Sequence, residues 1–301
     1  MAEKKSSLRI YLLAVVLFCI VAGLIFRVLS WTPVDSETQK ASEAVIRRLA
    51  AEQLNKDPND LTDEDFTKFT HLILSSKQEL NDIKLLEKFV NLQKLTIAYM
   101  VIPKRDLPQW MTVLGKFGVF DLDERASLDL SPLKKLKKFR HLELYETQIS
   151  SLNSLRKLKN LQTLTIFSTK VSDLKIINGM KNLRELIISH CPVSDIGPVT
   201  GLKNLEQLDI IKTQISDFEP LKKLKKLKYL RLQETKITDL EAVRALKNME
   251  RLLLINDTIS DLEPLKGLTN LKQLQILNCE NITNQEIEDL QKSLPDLKIT
   301  R

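Results

Sequence analysis

The chain has 301 residues and 43% of them are hydrophobic, so the sequence can form a large buried core. It contains only seven glycines, which disfavours the nucleotide-binding folds that need glycine to bring backbone close to phosphate. The formal net charge of +7 suits a nucleic acid, an anionic surface or a solvated basic face, so charge alone does not choose among them.

The chain begins with a candidate membrane segment. Residues 10–26 are uncharged and almost wholly apolar, with three basic residues before them and Arg27 directly after. This length is at the short end of the roughly 17–25 residues that span a bilayer as a helix. The basic residues before the run predict a cytoplasmic N-terminus and an exported remainder. The alternative is a signal peptide cleaved near residues 28–30, which would give a secreted protein.

The next segment predicts a helical cap. Ser36 to Leu54 has apolar residues at helical spacing, and these are Ala44, Ile46, Leu49, Ala50 and Leu54. Residues 55–60 predict a turn, after which Thr62 or Asp63 caps a short helical segment. A helix of this kind covers one end of a core, although a docking helix for a partner protein is the alternative.

From Leu133 onward the sequence repeats every 22 residues. Positions 1, 4, 7, 10, 12, 17 and 20 of the unit are apolar at all 42 places in the six units from 133 to 264. Positions 10 and 12 predict a short strand with one buried face, and the period of three at positions 1, 4 and 7 predicts a 3₁₀ or helical turn. Such units bury their leucines only by stacking, which predicts a solenoid with one continuous core.

The pattern continues upstream in weaker form. One unit begins at Leu86, after a first degenerate unit, and another begins at Met111, which places Phe120 and Leu122 in a strand. We therefore predict ten units in all, and we assign no role to the irregular stretch 98–130.

The segment after each strand predicts how the turn begins. It reads Thr-x-Ile-Ser-Asp or a close variant, and Ser, Thr or Asp at such a place caps a turn by accepting backbone N–H groups. We interpret the recurring aspartates as caps rather than catalytic groups, and they are Asp173, Asp195, Asp217, Asp239 and Asp261.

Cys191 and Cys279 occupy the same position of two repeats, where other units have Thr or Asp. Strands about 4.8 Å apart separate them by roughly 19 Å across four repeats, too far for a disulfide. We predict buried free thiols that, like the Thr side chains, hydrogen-bond the loop backbone. Cys19 lies inside the N-terminal apolar run, and no paired Cys or His spacing indicates a metal or other cofactor.

The C-terminal end predicts a second cap. A helix is expected from Thr283 or Asn284 to Ser293, broken at Leu294-Pro295, and Leu297 to Ile299 predicts a last strand. The sequence thus divides into four parts, which are a signal anchor (1–30), a helical cap (31–62), the repeats (63–286) and a C-terminal cap (287–301).

The repeats resemble the leucine-rich repeat family, in particular the 22-residue class of bacterial internalin-like proteins. The resemblance rests on blocks such as Leu202-Lys203-Asn204-Leu205 through Leu208 and Ile210, followed by Thr213-Gln214-Ile215-Ser216-Asp217. It implies an α/β solenoid, a horseshoe with a concave parallel β-sheet, short 3₁₀ or helical convex segments and helical caps.

The concave face of such a solenoid carries strand positions 9, 11 and 13, which the core does not explain. Five of the seven residues at position 13 are apolar, and exposed apolar patches mark interaction sites. We predict that the contacts to a protein partner are made by Tyr145, Phe167, Ile187, Ile211, Tyr229, Arg231, Leu253 and Ile255. The alternative is that some of these side chains only pack against one another on the curved sheet.

Other functions have weaker support in the sequence. The three histidines belong to no metal or nucleophile motif, so we expect neither an enzyme nor a small-molecule substrate. Few aromatic residues accompany the lysines, so no nucleic acid is expected. The alternative partner is an anionic envelope polymer or lipid surface, bound by convex lysine clusters at residues 134–138 and 222–226.

Overall fold

The computed structural model describes residues 36–76, 80, 82–99 and 128–301. The predicted membrane segment 10–26 and the rest of the predicted signal anchor lie outside these residues. Within the described ranges, no helix combines the length and the apolar character needed to cross a bilayer.

One sheet of ten parallel strands organises the described chain, and its strands follow one another in sequence order. The strands are β1 (His71–Ser76), β2 (Lys94–Tyr99), β3 (His141–Tyr145), β4 (Thr163–Phe167), β5 (Glu185–Ser189), β6 (Gln207–Ile211), β7 (Tyr229–Gln233), β8 (Arg251–Ile255), β9 (Gln273–Leu277) and β10 (Lys298–Thr300). From β3 to β9 each residue pairs with the one 22 positions later, as Leu164 does with Leu186 and Leu186 with Leu208. The predicted leucine-rich repeat solenoid is confirmed.

The repeat pattern corresponds to the core without exception in its regular part. All 42 apolar positions of the six units from 133 to 264 are buried. In each of these strands the two core residues alternate with outward-facing ones, because successive side chains of a strand point to opposite faces. Burying one Leu or Ile side chain contributes about 1.5–3 kcal/mol, so this shared spine is the main source of stability.

Short 3₁₀ turns lie on the convex side between the strands. In the turn Asn153–Lys157 and the residues just after it, the backbone N–H groups of Leu155, Leu158 and Leu161 each bond the carbonyl three residues earlier, at 2.9, 2.9 and 3.2 Å. The other turns between strands are Lys84–Lys88, Ser131–Lys135, Lys175–Gly179, Gly197–Gly201, Glu219–Lys223, Val243–Ala245 and Glu263–Leu265. The three-residue period of the leucines is therefore the period of these turns.

The recurring aspartates lie at the start of these turns, as predicted. The Oδ1 atoms of Asp173, Asp195 and Asp217 accept hydrogen bonds from the backbone N–H two residues later at 2.7, 2.7 and 2.9 Å. Asp239 and Asp261 make the same bond at 3.0 and 2.7 Å. These carboxylates stabilise the turn, so their recurrence has a structural cause.

A second recurring contact on the convex side was not predicted from the sequence. Asn182 and Asn204 each donate from Nδ2 to the backbone carbonyl of a lysine in the preceding repeat, at 2.8 and 2.9 Å. The same bond is made by Asn160, Asn248 and Asn270. These asparagines therefore join consecutive repeats on the side away from the sheet.

The side chain that follows a strand by two residues forms a hydrogen bond in some repeats but not in others. Cys191 Sγ bonds the backbone oxygen of Ser189 at 3.1 Å, and the Thr169 hydroxyl accepts from the N–H of Val171 at 3.3 Å. By contrast, the buried hydroxyls of Thr147 and Thr213 have no partner among the described residues. The predicted bond to the loop backbone is thus made in some repeats and absent in these two. Cys191 and Cys279 are both buried free thiols, as predicted.

The predicted place of one strand in the sheet is wrong. Strand β2 pairs directly with β3, with Lys94 opposite His141 and Ile97 opposite Leu144. The strand expected at Phe120 and Leu122 therefore does not lie between them, although the unit from Met111 was counted as a member of the stack. Residues 100–127 lie outside the described ranges. The apolar residues around Met111 have the spacing of the repeat, but this unit does not match the full apolar pattern of the later units.

Helices cover both ends of the stack. Helix α1 (Ser36–Leu54) buries Ile46 and Ala50 against the first repeats, and α2 (Asp63–Thr67) contributes buried Phe66. Asp65 is almost fully buried and forms ion pairs with Lys56 and Lys68 at 2.8 Å each, which hold the pKa of its carboxyl well below the usual range. At the other end, α3 (Asn284–Ser293) begins directly after its N-cap Thr283, as predicted, and β10 follows it.

Candidate protein-binding face

The outward-facing strand residues form three rows across the concave face. The first row runs through His141, Thr163, Glu185, Gln207, Tyr229, Arg251 and Gln273. The middle row runs through Glu143, Thr165, Ile187, Asp209, Arg231, Leu253 and Gln275. The last row runs through Tyr145, Phe167, Ser189, Ile211, Gln233, Ile255 and Leu277.

All eight residues predicted to contact a partner lie on this face, and every one of them is half-buried. Tyr145 and Phe167 are direct neighbours, whereas Ser189 separates Phe167 from Ile211 and Gln233 separates Ile211 from Ile255. The apolar surface is therefore interrupted rather than continuous. Partial burial also shows that these side chains pack against their neighbours, as the structural alternative requires, while their outer parts remain accessible.

Aromatic side chains form one cluster on β3 and β4. The ring centroids of Tyr145 and Phe167 are 5.9 Å apart, and those of Phe167 and His190 are 5.1 Å apart. His190 directly follows β5 with a left-handed backbone (φ 52°), one of seven non-glycine residues that share this conformation after successive strands. This backbone turn carries the imidazole beside Phe167, so the aromatic surface is wider than the predicted residues alone.

The middle row contains a buried carboxylate that the predicted set does not include. Asp209 is 7% exposed, and its Oδ1 atom has no hydrogen-bond partner among the described residues. Burial raises the pKa of this carboxyl to about 6, although the neighbouring Arg231 favours the charged form. Asp209 is at position 11 of its repeat, which predicts a concave location, but nothing in the sequence indicates that its neighbours enclose it.

Arg231 lies opposite Asp209 on the next strand without forming an ion pair with it. Its guanidinium instead donates to Oε1 of Gln233 on the same strand, and its buried Nε atom has no partner in the described part of the chain. Arg251, in the first row, stacks over the ring of Tyr229 with its Cζ atom 5.8 Å from the centroid. Arg231 thus lies beside the buried carboxylate and Arg251 lies one strand further along, and each is held by a neutral side chain.

The convex lysine clusters are partly used in contacts between repeats. Lys226 Nζ donates to Oδ1 of Asn204 at 2.7 Å, Lys138 makes the matching bond to Asn91 at 2.8 Å, and Lys225 donates to the carbonyl of Ala245 at 3.2 Å. Lys135 pairs with Glu87 at 2.5 Å. Much of the basic convex surface therefore serves the packing of neighbouring units.

Nothing in the described ranges brings together three His, Cys, Asp or Glu side chains in a way that could hold a metal ion. His141 Nδ1 lies 3.0 Å from the hydroxyl of Thr163, and His190 Nδ1 lies 2.8 Å from that of Ser189. Each histidine is thus paired with a neighbouring hydroxyl on the face.

The comparisons with known proteins agree with this architecture. Residues 181–223 match the family model for leucine-rich repeats, in two copies. No curated protein sequence matches the chain.

Solved structures extend the similarity over most of the chain. An internalin (inlF) of Listeria monocytogenes is 25% identical, with a TM-score of 0.63 over 86% of this chain and 74% of its own. Internalin C2 of the same species is 26% identical, with a TM-score of 0.60 over 77% of this chain and 92% of its own. A leucine-rich repeat protein of Leptospira interrogans is 23% identical, with a TM-score of 0.55 over 73% of this chain and 57% of its own. The chain thus contains a leucine-rich repeat solenoid that is similar in fold to those of the internalins.

Proposed function

We propose that the chain is a non-enzymatic protein-interaction module that binds a protein partner through its concave face. The observation that carries the proposal is the last row of that face, where Tyr145, Phe167, Ile211 and Ile255 place large apolar side chains on the side away from the core. Aliphatic and aromatic side chains in such positions lose water favourably when a second surface covers them. Leucine-rich repeat proteins generally act as protein-binding scaffolds, which supports the same conclusion.

Lateral packing alone accounts poorly for this row. A polar side chain such as Gln233 occupies the same kind of position in a neighbouring strand, so the fold does not require an apolar residue there. The large apolar side chains are therefore better explained by contact with a partner. Aromatic and arginine side chains, which the face also presents, are the residue types that dominate binding energy in protein interfaces.

We further propose that the solenoid is displayed at the cell envelope, anchored by residues 10–26 with the N-terminus in the cytoplasm. The support is the apolar run with basic residues before it. Protease added to intact cells is expected to degrade the repeats, and the chain is expected to stay with the membrane after washing at high salt. Full protection in intact cells would contradict export, and release into the medium would favour the cleaved, secreted form.

The binding proposal is tested by adding charge to the face. The double substitution Phe167→Glu and Ile211→Glu in the full chain is expected to abolish recovery of the partner by cross-linking in the cells of origin. A matched control, Lys181→Glu and Lys203→Glu, introduces two carboxylates on exposed convex positions and is expected to recover the same partner as the unmodified chain.

Circular dichroism melting of each variant separates loss of binding from loss of fold. Recovery of the same partner by the folded concave variant would overturn the proposal. Loss of the partner from the convex control alone would place the binding surface on the other side of the solenoid.

A further inference from the structure

Charge divides the centre of the concave face into an acidic and a basic half. Glu185 on β5 and Asp209 on β6 lie diagonally across two neighbouring strands, and the negative charge of Glu185 contributes to the raised pKa of Asp209. Arg231 on β7 and Arg251 on β8 occupy the next two strands. Four consecutive repeats thus present two carboxylates followed by two guanidinium groups.

No direct ion pair joins the two carboxylates to the two guanidinium groups. The carboxylate of Glu185 is half-buried and forms no ion pair with either arginine, and Asp209 Oδ1 has no hydrogen-bond partner in the described ranges. Arg231 Nε is buried without a partner, and its guanidinium is held by Gln233 rather than by the carboxylate opposite. Elsewhere on the face the opposite arrangement occurs, because Glu143 forms an ion pair of 2.5 Å with Lys94. The centre of the concave face therefore has acidic and basic groups that are not paired with one another.

Apolar side chains border this charged centre. Ile187 precedes Asp209 in the middle row and Leu253 follows Arg231, while Ile211 and Ile255 lie beside them in the last row. A partner that covered these four side chains would exclude water from the charges. Exclusion of water strengthens an ion pair, and an unpaired carboxylate that is already buried has little further desolvation to undergo.

We infer that the centre of the concave face binds a protein segment that presents a Lys or Arg to Glu185 and Asp209 and an Asp or Glu to Arg231 and Arg251. With strands about 4.8 Å apart, the two charges of the partner are roughly 10 Å apart. This inference rests on the proposed function and adds to it the chemistry of the partner. The apolar border supplies affinity, and the divided charge fixes orientation and rejects partners with the opposite polarity.

The test uses a random peptide library displayed on phage and selected on the full chain in mild detergent. Peptides that depend on the concave face are expected to carry a basic and an acidic residue among apolar ones. The double variant Glu185→Gln and Asp209→Asn is expected to bind them at least about tenfold more weakly, and Arg231→Gln is expected to have a comparable effect. The control Glu288→Gln removes one exposed carboxylate on α3 and is expected to leave affinity unchanged.

A double-mutant cycle between the peptide and the chain tests directly whether the peptide's basic residue pairs with Glu185 and Asp209. Replacing the peptide's basic residue with norleucine is expected to weaken binding to the unmodified chain but not to the double variant, because the interaction is already absent there. If Asp209→Asn does not fold, Glu185→Gln alone and the modified peptide provide the same test.

The outcomes separate this inference from the proposed function. If the selected peptides lose binding to the Phe167→Glu and Ile211→Glu variant yet bind the charge-neutralised variants normally, that result would refute the divided-charge site and leave the proposed binding face intact. If no concave substitution changes the binding of any selected peptide, the result would count against both the divided-charge site and the proposed function.

Discussion

At the scale of single residues, the buried carboxylate of Asp209 belongs to the candidate site but lowers the stability of the fold. Burial raises its pKa from the ordinary 3.8 to about 6, so the folded chain binds a proton more tightly than the unfolded chain does. The stability associated with this group is complete below pH 3.8 and declines as the pH rises through about 6. At neutral pH the protein therefore carries a buried charge that weakens the fold.

We expect Asp209→Asn to increase the free energy of unfolding at neutral pH. The side chain keeps its shape while the charge is removed, so the gain is about 1–3 kcal/mol at pH 7.5 and disappears near pH 4. Urea denaturation followed by circular dichroism at both pH values measures the difference. Glu288→Gln removes an exposed carboxylate and is expected to change stability little at either pH. A less stable Asp209→Asn at pH 7.5 would show that the carboxylate has a stabilising partner in solution.

At the scale of the repeat, the convex side has two sets of bonds: one joins each unit to its neighbours, and the other acts within a unit. Asn204 donates to the carbonyl of Lys181 at 2.9 Å and accepts from Lys226 Nζ at 2.7 Å, so it connects three consecutive repeats. The aspartates, by contrast, act within one unit by fixing the start of its own turn. The first kind of residue controls the association of repeats, and the second controls the shape of each one.

We expect Asn204→Ala to lower the free energy of unfolding by about 1–2 kcal/mol, because it leaves a backbone carbonyl without its donor. The adjacent substitution Lys203→Ala changes an exposed side chain on the same turn and is expected to cost less than about 0.5 kcal/mol. Equilibrium denaturation of both variants provides the comparison. Equal stability of the two would mean that water replaces the asparagine at no cost.

The repeat is also the scale at which the sequence was most informative. Apolar residues at fixed spacing predicted the strands, the convex turns and the buried residues, since each of these depends on the local period. The same spacing misled at Met111, because residues such as Phe120 and Leu122 satisfied the phase while β2 pairs directly with β3. The enclosure of Asp209 depends on side chains from neighbouring strands, which no local pattern reveals.

At the scale of the whole molecule, sequential strand order makes the solenoid a chain of nearest-neighbour contacts. Each repeat packs on the one before and the one after, and the end helices cover the exposed ends of the core. Residues far apart in sequence, such as Glu185 and Arg251, keep a fixed spacing because three strand intervals separate them on a single sheet. The rigid register is therefore what allows a divided-charge surface to discriminate between partners.

The nearest-neighbour character predicts how core substitutions combine. Leu186 and Leu208 are paired on adjacent strands, whereas Leu252 lies three strands from Leu186, roughly 14 Å away. Each Leu→Ala change is expected to cost about 2–5 kcal/mol. The costs at Leu186 and Leu208 are expected to depart from additivity by about 0.5 kcal/mol or more, because the two side chains share a contact, while those at Leu186 and Leu252 add to within about 0.5 kcal/mol. Urea denaturation of the singles and both doubles measures the two couplings. A larger coupling for the distant pair would show that the stack does not transmit packing from each strand to the next, and would contradict the shared spine on which the whole arrangement rests.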